Sequence, residues 1–193
     1  MSFDETVINL ASPALCGIKP SNMFSMSTEA YNCGSHKLTE WNTALKKQGV
    51  YILPIQKGSG RILFYVYNIK MVKDLCSNCK IQSYLYSKGY PVYSGVDSIL
   101  SELQFRLMSD ESFPNEVGIF LGYPLEDVIQ FEKNCGENYR FCGIWKVYSN
   151  PEKAISLMNK YKQCSEFCRS LWKKGITVPD TALLYKKQLR GQK

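Results

Sequence analysis

Apolar residues recur along this chain at helical spacing in several separate segments. The clearest stripe, from Val96 to Leu107, has apolar residues at i, i+3 and i+4, so it predicts a helix over residues 95–108. Asn150 and the following Pro151 predict the start of a last long helix that ends before Gly175. Weaker stripes predict five more helices, over residues 3–10, 36–48, 69–76, 79–88 and 124–133.

Four β-rich runs lie between these helices. Residues 50–56 and 61–68 flank a Gly-containing turn and predict a β-hairpin over residues 50–68. The short apolar runs 116–122 and 142–148 predict two buried strands. The pattern therefore favours an α/β (α+β) fold: a single domain over residues 1–193, with a mixed sheet of about four to five strands covered by helices.

The net charge of +7 is concentrated at the C-terminal end of the 193 residues. Residues 153–193 contain ten Lys or Arg and two acidic residues, whereas residues 1–152 carry a balance of −1. We interpret residues 176–193 as a basic C-terminal tail that frays. The basic residues can bind nucleic acid non-specifically, but a solvated helix face and a frayed terminus explain the charge as well, and we favour that interpretation.

Eight cysteines occur in a chain whose acidic N-terminus lacks the basic region of a secretory signal. No window approaches the roughly 18 apolar residues of a membrane helix. We therefore expect a cytoplasmic protein with reduced thiols. Cys164 and Cys168 continue the apolar stripe of the last helix, which predicts core packing, and the sequence indicates neither a metal site nor a particular cofactor.

Catalytic signatures are absent, so candidates rest on single residues. The lone histidine, His36, is more typical of a surface or capping residue than of a catalytic one. Cys16 follows Ser12 and Pro13, which predict a helix start where backbone N–H groups favour a thiolate. Either His36 or Glu116 is then the candidate base for a nucleophile at Cys16 or Cys142.

The stretch from Phe113 to Tyr148 is the most informative part of the chain. Its two predicted strands each end at a turn, where α/β proteins place their binding sites, and glycines beside strands often mark a close approach of a ligand. An aromatic-walled pocket and a core filled by the same side chains are equally good interpretations. If the pocket exists, its binding residues are Ala11, Asn115, Tyr123, Asp127, Cys142 and Trp145.

Three segments resemble a family of clostridial proteins catalogued as a domain of unknown function. The segments are FPNEVGIFLGYPLEDVIQF (113–131), NYRFCGIWKVYSNPEKA (138–154) and SPALCGIKPSNMFSM (12–26). The resemblance spans most of the chain, and the FLGYPLEDV part is quite specific. Because the family has no assigned activity, the resemblance implies relatives without implying a function.

Two departures from the family pattern bear on catalysis. The opening motif of the family typically reads His-Cys-Ala-Pro-Thr-Leu-Ala-Gly, where this chain has Leu10 to Gly17, and the second typically reads Phe-Pro-His-Glu, where it has Phe113 to Glu116. A thiol followed about a hundred residues later by a histidine is the order of papain-like Cys–His enzymes, which implies a distantly papain-like fold. Ala11 and Asn115 occupy those two positions here, so such an enzyme is degenerate or rewired in this chain.

Three functions remain, in order of preference. The first is a binding module for a small molecule or short peptide near residues 113–127. The alternative is a hydrolase or acyl/amide transferase with a cysteine nucleophile of the papain-like type. A further alternative is binding of nucleic acid or an acidic partner through the basic C-terminus, and no membrane partner is expected.

Overall fold

The computed structural model describes residues 2–57, 60–109 and 113–191. Two compact units make up the fold: one comprises Met1–Met71 and Tyr161–Lys193, and the other comprises Val72–Lys160. The described part contains ten α-helices and five short strands, which confirms the α+β class. No helix in these ranges has both the length and the apolar character needed to cross a membrane.

The helices account for most of the described chain. In chain order they are α1 (Phe3–Leu15), α2 (Thr28–Gly34), α3 (Lys37–Lys46), α4 (Ile69–Cys76), α5 (Cys79–Ser87), α6 (Val96–Met108), α7 (Val117–Phe120), α8 (Leu125–Lys133), α9 (Pro151–Trp172) and α10 (Val178–Gly191). Helices predicted from apolar stripes over residues 36–48, 69–76, 79–88, 95–108, 124–133 and 150–174 are confirmed with small shifts of their ends. At α9 the Asn150 side chain accepts a hydrogen bond from Lys153 N at 2.9 Å, as the predicted cap requires.

A three-stranded antiparallel sheet lies in the first unit, in the order β1 (Ser21–Ser27), β3 (Arg61–Asn68), β2 (Val50–Lys57). Strands β2 and β3 confirm the predicted hairpin, with Val50 opposite Asn68; residues 58 and 59 of its turn lie outside the described residues. The second sheet is the two-stranded pair β4 (Phe141–Cys142) and β5 (Lys146–Val147). Two antiparallel sheets therefore replace the single mixed sheet that the sequence predicts.

Strand β1 is missing from the sequence-based prediction. Its sequence SNMFSMS carries little strand signal, because Phe24 and Met26 are its only buried apolar residues and three of its seven residues are serines. Its pairing partner β3 supplies most of the apolar contact: the rings of Phe24 and Phe64 stack with centroids 5.2 Å apart. Cross-strand packing of this kind stabilises a strand whose own propensity is low.

Helix α1 is longer than predicted, and the predicted helix start at Ser12 and Pro13 is wrong. The apolar stripe that begins at Phe3 continues through Ala14 and Leu15, which are completely buried, so one helix covers both segments. Pro13 has no N–H for an intrahelical hydrogen bond, and the helix ends two residues later at Leu15. The Ser12 hydroxyl donates to Ile8 O at 2.5 Å instead of capping a new helix.

Both predicted strands of the 113–148 stretch are wrong in the second unit. Residues 117–120 form α7, all four of them buried, because a short apolar run has no periodicity that separates a strand from a helix. Residues 142–148 bend back on themselves between β4 and β5, where Gly143 N donates to Trp145 O at 3.1 Å. The chain therefore passes through a helix and a tight hairpin where two strands are expected.

The C-terminal segment forms α10 instead of a frayed tail. Val178 and Ala182 are buried in the core of the first unit, so this helix is amphipathic. Lys186 follows Ala182 by four residues, so it lies on the same face, and its Nζ donates to Gln48 Oε1 at 2.7 Å. The basic residues of this segment therefore belong to a packed helix, in which Lys186 is partly buried and Lys187 is exposed.

Lys19, between α1 and β1, is a buried cation. It is 2% exposed, and its Nζ lies 5.6 Å from the centroid of the Tyr161 ring. Burial lowers the pKa of Lys19 to about 8, since the charged form loses its hydration.

The pKa of Lys19 predicts a pH-dependent stability. The unfolded chain, with the usual pKa of 10.5, binds more protons than the fold between pH 8 and 10.5, so this contribution to the free energy of unfolding rises with pH across that window. We expect Lys19→Met to remove a slope of roughly 1 kcal/mol per pH unit, measured by urea unfolding from pH 8 to 9.5. Lys47→Met, at an exposed lysine, serves as the control. Parallel curves for Lys19→Met and the unmodified protein contradict the prediction.

Candidate functional site

A cavity of about 340 Å³ opens within the second unit. We call it the 113–146 pocket, because the turn before α7, helices α7 and α8 and the β4–β5 hairpin form its walls. Five residues predicted to bind a ligand line it together: Asn115, Tyr123, Asp127, Cys142 and Trp145. Their assembly does not depend on strand ends, because a helix and a hairpin bring them to one place.

Two stacked aromatic rings form one wall of the pocket. The rings of Tyr123 and Trp145 lie 4.9 Å apart at 20° to each other. Gly118 makes room for this pair, since a Cβ atom there would lie 3.1 Å from Tyr123 Cδ2 and 2.9 Å from Val128 Cγ2. Burial raises the pKa of Tyr123 to about 12, so the phenol is neutral at physiological pH.

Asp127 holds the Trp145 side of this wall in place. Its Oδ2 accepts a hydrogen bond from Trp145 Nε1 at 2.8 Å, and its Oδ1 accepts from the backbone N–H groups of Tyr148 and Ser149 at 2.9 and 2.8 Å. The carboxylate is 2% exposed, so these three donors replace the water that it loses on folding. Asp127 thus ties α8 to the hairpin and is not an open ligand-binding group.

The remaining polar groups of the pocket are few. Asn115 is exposed at the entrance, and Cys142 is a free, exposed thiol. Lys146 donates to Gly136 O at 2.7 Å, and its ammonium lies 5.0 Å from the centroid of the Tyr139 ring. These contacts fix the position of a positive charge at the pocket wall.

Sequence reasoning missed several apolar residues of the lining. Phe113, Phe131 and Ile144 contribute to the walls together with Lys146. The position of Phe131 was detectable, because it lies four residues after Asp127 and so shares its face of α8. Ile144 carried no such signal, since its place depends on the tight turn of the hairpin.

Glu116 lies between two residues that line the 113–146 pocket, Asn115 and Val117, but its side chain belongs to an ion-pair network. Its Oε1 accepts hydrogen bonds from Arg106 Nη1 at 2.8 Å and Tyr90 Oη at 3.2 Å. Arg106 also bonds Glu102 at 2.7 Å and packs 4.2 Å from the centre of the Tyr90 ring. Glu116 is 6% exposed and its Oε1 accepts both hydrogen bonds, which favours a structural role over that of a base.

Cys16 occupies the C-terminal cap of α1, so the helix-start argument for its activation is wrong. Hydrogen bonding to Cys164, then to Cys168, together with burial, raises the pKa of the Cys16 thiol well above its usual range. A protonated, 2% exposed thiol is a poor nucleophile. Its Sγ lies 3.4 Å from that of Cys168, and the prediction of core packing for Cys164 and Cys168 is confirmed.

The other two predicted positions also fall in the first unit. His36 is exposed and is the N-cap residue of α3, although its side chain forms no capping hydrogen bond. Ala11 is completely buried within the third turn of α1, which is not a helix start. Ala11 therefore belongs to the core of the first unit, whereas Asn115 belongs to the second.

The Asp127 contacts predict a large loss of stability on truncation. We expect Asp127→Ala to lower the free energy of unfolding by roughly 3 kcal/mol, because three buried donors lose a charged acceptor. Asp127→Asn should cost less, since its carbonyl oxygen still accepts from the backbone while its amide faces Trp145 Nε1. Urea unfolding measures both. The control is Glu126→Ala, an exposed neighbour expected to change stability by less than about 0.5 kcal/mol. Equal effects at 126 and 127 contradict the role of Asp127.

Comparison with known proteins gives one match. The family model described as "Protein of unknown function (DUF3793)" matches residues 7–181, a span that contains both the 113–146 pocket and the buried thiols. No curated protein and no solved structure matches the chain. The chain therefore belongs to the DUF3793 family.

Proposed function

We propose that the 113–146 pocket binds a small molecule with a flat apolar body, or the equivalent side chain of a short peptide. The observation that carries this proposal is an open cavity beside the stacked rings of Tyr123 and Trp145, with Trp145 held by buried Asp127. A wall whose side chains are already fixed loses little entropy when a ligand arrives.

The size of the cavity limits the ligand. Its volume of about 340 Å³ is near the lower end of the roughly 300–1,000 Å³ typical of small-molecule pockets. One or two fused rings, or a single large side chain of a peptide, fit such a volume. A flat ring can continue the stack that Tyr123 and Trp145 begin, since offset stacking favours centroid separations of about 4.5–7 Å.

Two polar groups can orient the ligand at the rim. The exposed Asn115 amide offers both a donor and an acceptor. Lys146 keeps two of its three ammonium protons available beside the one given to Gly136 O, so a carboxylate on the ligand is favoured there. The proposed ligand is therefore apolar at one end and polar or anionic at the other.

The other two functions lack an observation in their favour. Cys142 is the exposed thiol of the pocket, and within the described residues no hydrogen bond connects its side chain to an acid or base. Nucleic-acid binding gains no support from α10, whose inner face packs in the core. Binding without catalysis is the simpler interpretation of the pocket.

Simple aromatic probes test the proposal. We expect indole or indole-3-acetate to bind with a dissociation constant on the order of 1 mM, given typical affinities per atom. At ten times that concentration the fold gains roughly 1.4 kcal/mol, which raises the melting temperature by about 3 °C. N-acetyl-phenylalaninamide, compared in the same assay, reports whether a peptide side chain is preferred.

A cavity-filling variant distinguishes the pocket from other aromatic surfaces. Cys142→Trp places a large ring in the cavity and should abolish the shift, whereas Tyr93→Ser, at an 87% exposed tyrosine outside the pocket lining, should leave it unchanged. Circular dichroism checks that both variants fold. The proposal fails if no probe raises the melting temperature, or if the shift survives in folded Cys142→Trp.

A further inference from the structure

Three cysteines far apart in the sequence meet in the core of the first unit. Cys16 ends α1, and Cys164 and Cys168 lie one turn apart on α9. Their Sγ atoms all lie within 4.8 Å of one another, and the three residues are 2%, 0% and 0% exposed. We call this group the thiol trio.

We propose that the thiol trio is a binding site for copper(I), with each of the three sulfur atoms as a ligand. Its sulfur spacing is the first reason. Around a central ion with metal–sulfur bonds of about 2.3 Å, three coplanar sulfur atoms stand about 4 Å apart. The separation of 3.4 Å between Cys16 and Cys168 and the limit of 4.8 Å for the whole trio bracket that value, so small side-chain rotations suffice.

The number of ligands favours copper(I) over zinc. Structural zinc sites almost always use four protein ligands. In the described part of the chain the candidate ligand group contains these three residues and no fourth His, Cys, Asp or Glu, and burial leaves little access for water. Thiolates select soft ions, and copper(I) accepts three of them.

The scaffold around the trio suits a metal site. Two ligands share one face of a long helix, and the third is fixed by the packing of α1, which limits how far the sulfur atoms can spread. The side chains of Ser12 and Thr181 are completely buried in the same unit, and their hydroxyls donate to Ile8 O and Val178 O. A hydroxyl that turns toward a metal-bound thiolate stabilises it.

The chemistry of binding is an exchange of protons for a metal ion. Copper(I) enters and stays in its reduced state, copper–sulfur bonds form, and thiol protons leave to solvent. The net charge of a monovalent ion with three thiolates is negative, which the nearby hydroxyl dipoles partly offset. No oxidant or reductant takes part.

The test removes competing thiols first. Serine replaces the four exposed cysteines, Cys33, Cys79, Cys135 and Cys142, which leaves the trio and buried Cys76. Copper(I) is delivered anaerobically against the chelator bicinchoninate. We expect one ion per chain, and a loss of affinity of more than about 100-fold in each of Cys16→Ala, Cys164→Ala and Cys168→Ser, more than is usual when a residue that only contacts a ligand is replaced. Cys76→Ala in the same background should bind as before.

X-ray absorption spectroscopy counts the ligands of the bound copper without substitution of any cysteine of the thiol trio. The copper-loaded protein should show three sulfur neighbours at about 2.3 Å. The proposal is overturned if there is no stoichiometric binding, if only two sulfur neighbours are found, or if the folded trio variants bind as well as the Cys76→Ala control. One equivalent of zinc that copper(I) cannot displace overturns the assignment to copper.

Discussion

The 113–146 pocket of the second unit depends on the hydrogen bonds that the buried Asp127 carboxylate accepts. Strands β4 and β5 have only two residues each, so their own hydrogen bonds cannot fix the hairpin that carries Trp145. Asp127 adds three charge-assisted hydrogen bonds across this region. Burying a carboxylate without hydrogen-bond partners costs free energy. The geometry in which Asp127 keeps all three donors is therefore strongly favoured over others. The aromatic wall is therefore in place before any ligand binds.

Long periodic segments were predictable because their signal is local. The stripe of α6 and the cap of α9 are visible in the sequence, since each depends on residues within a few turns. Strand β1 and helix α7 were not predictable in the same way. The first depends on packing against β3, and the second is an apolar run of four buried residues whose period is too short to read. Helix α1 shows a third case, in which a continuing apolar stripe outweighs the helix-start signal of Ser12 and Pro13.

Five of the six predicted binding residues line one cavity, but the structural reason that was expected to bring them together is wrong. Tyr123 and Trp145 were expected to meet at strand ends, and they meet because Gly118 permits a close approach and Asp127 holds the indole. Glu116 illustrates the opposite outcome, because its partner Arg106 lies on another helix and carries no sequence signal that links the two. The residue types in the sequence indicated which polar side chains lie near the site. Only the three-dimensional structure shows which partner each of them bonds.

What each polar group can still do depends on the partners that it already has. Both oxygen atoms of Asp127 and the engaged oxygen of Glu116 are used within the protein, so these acids stabilise the fold. In the thiol trio, the sulfur atoms of Cys16 and Cys168 contact each other, and a thiol–thiol contact is weak. On the copper(I) proposal, metal–sulfur bonds replace this weak contact, whereas the buried carboxylates already accept several hydrogen bonds.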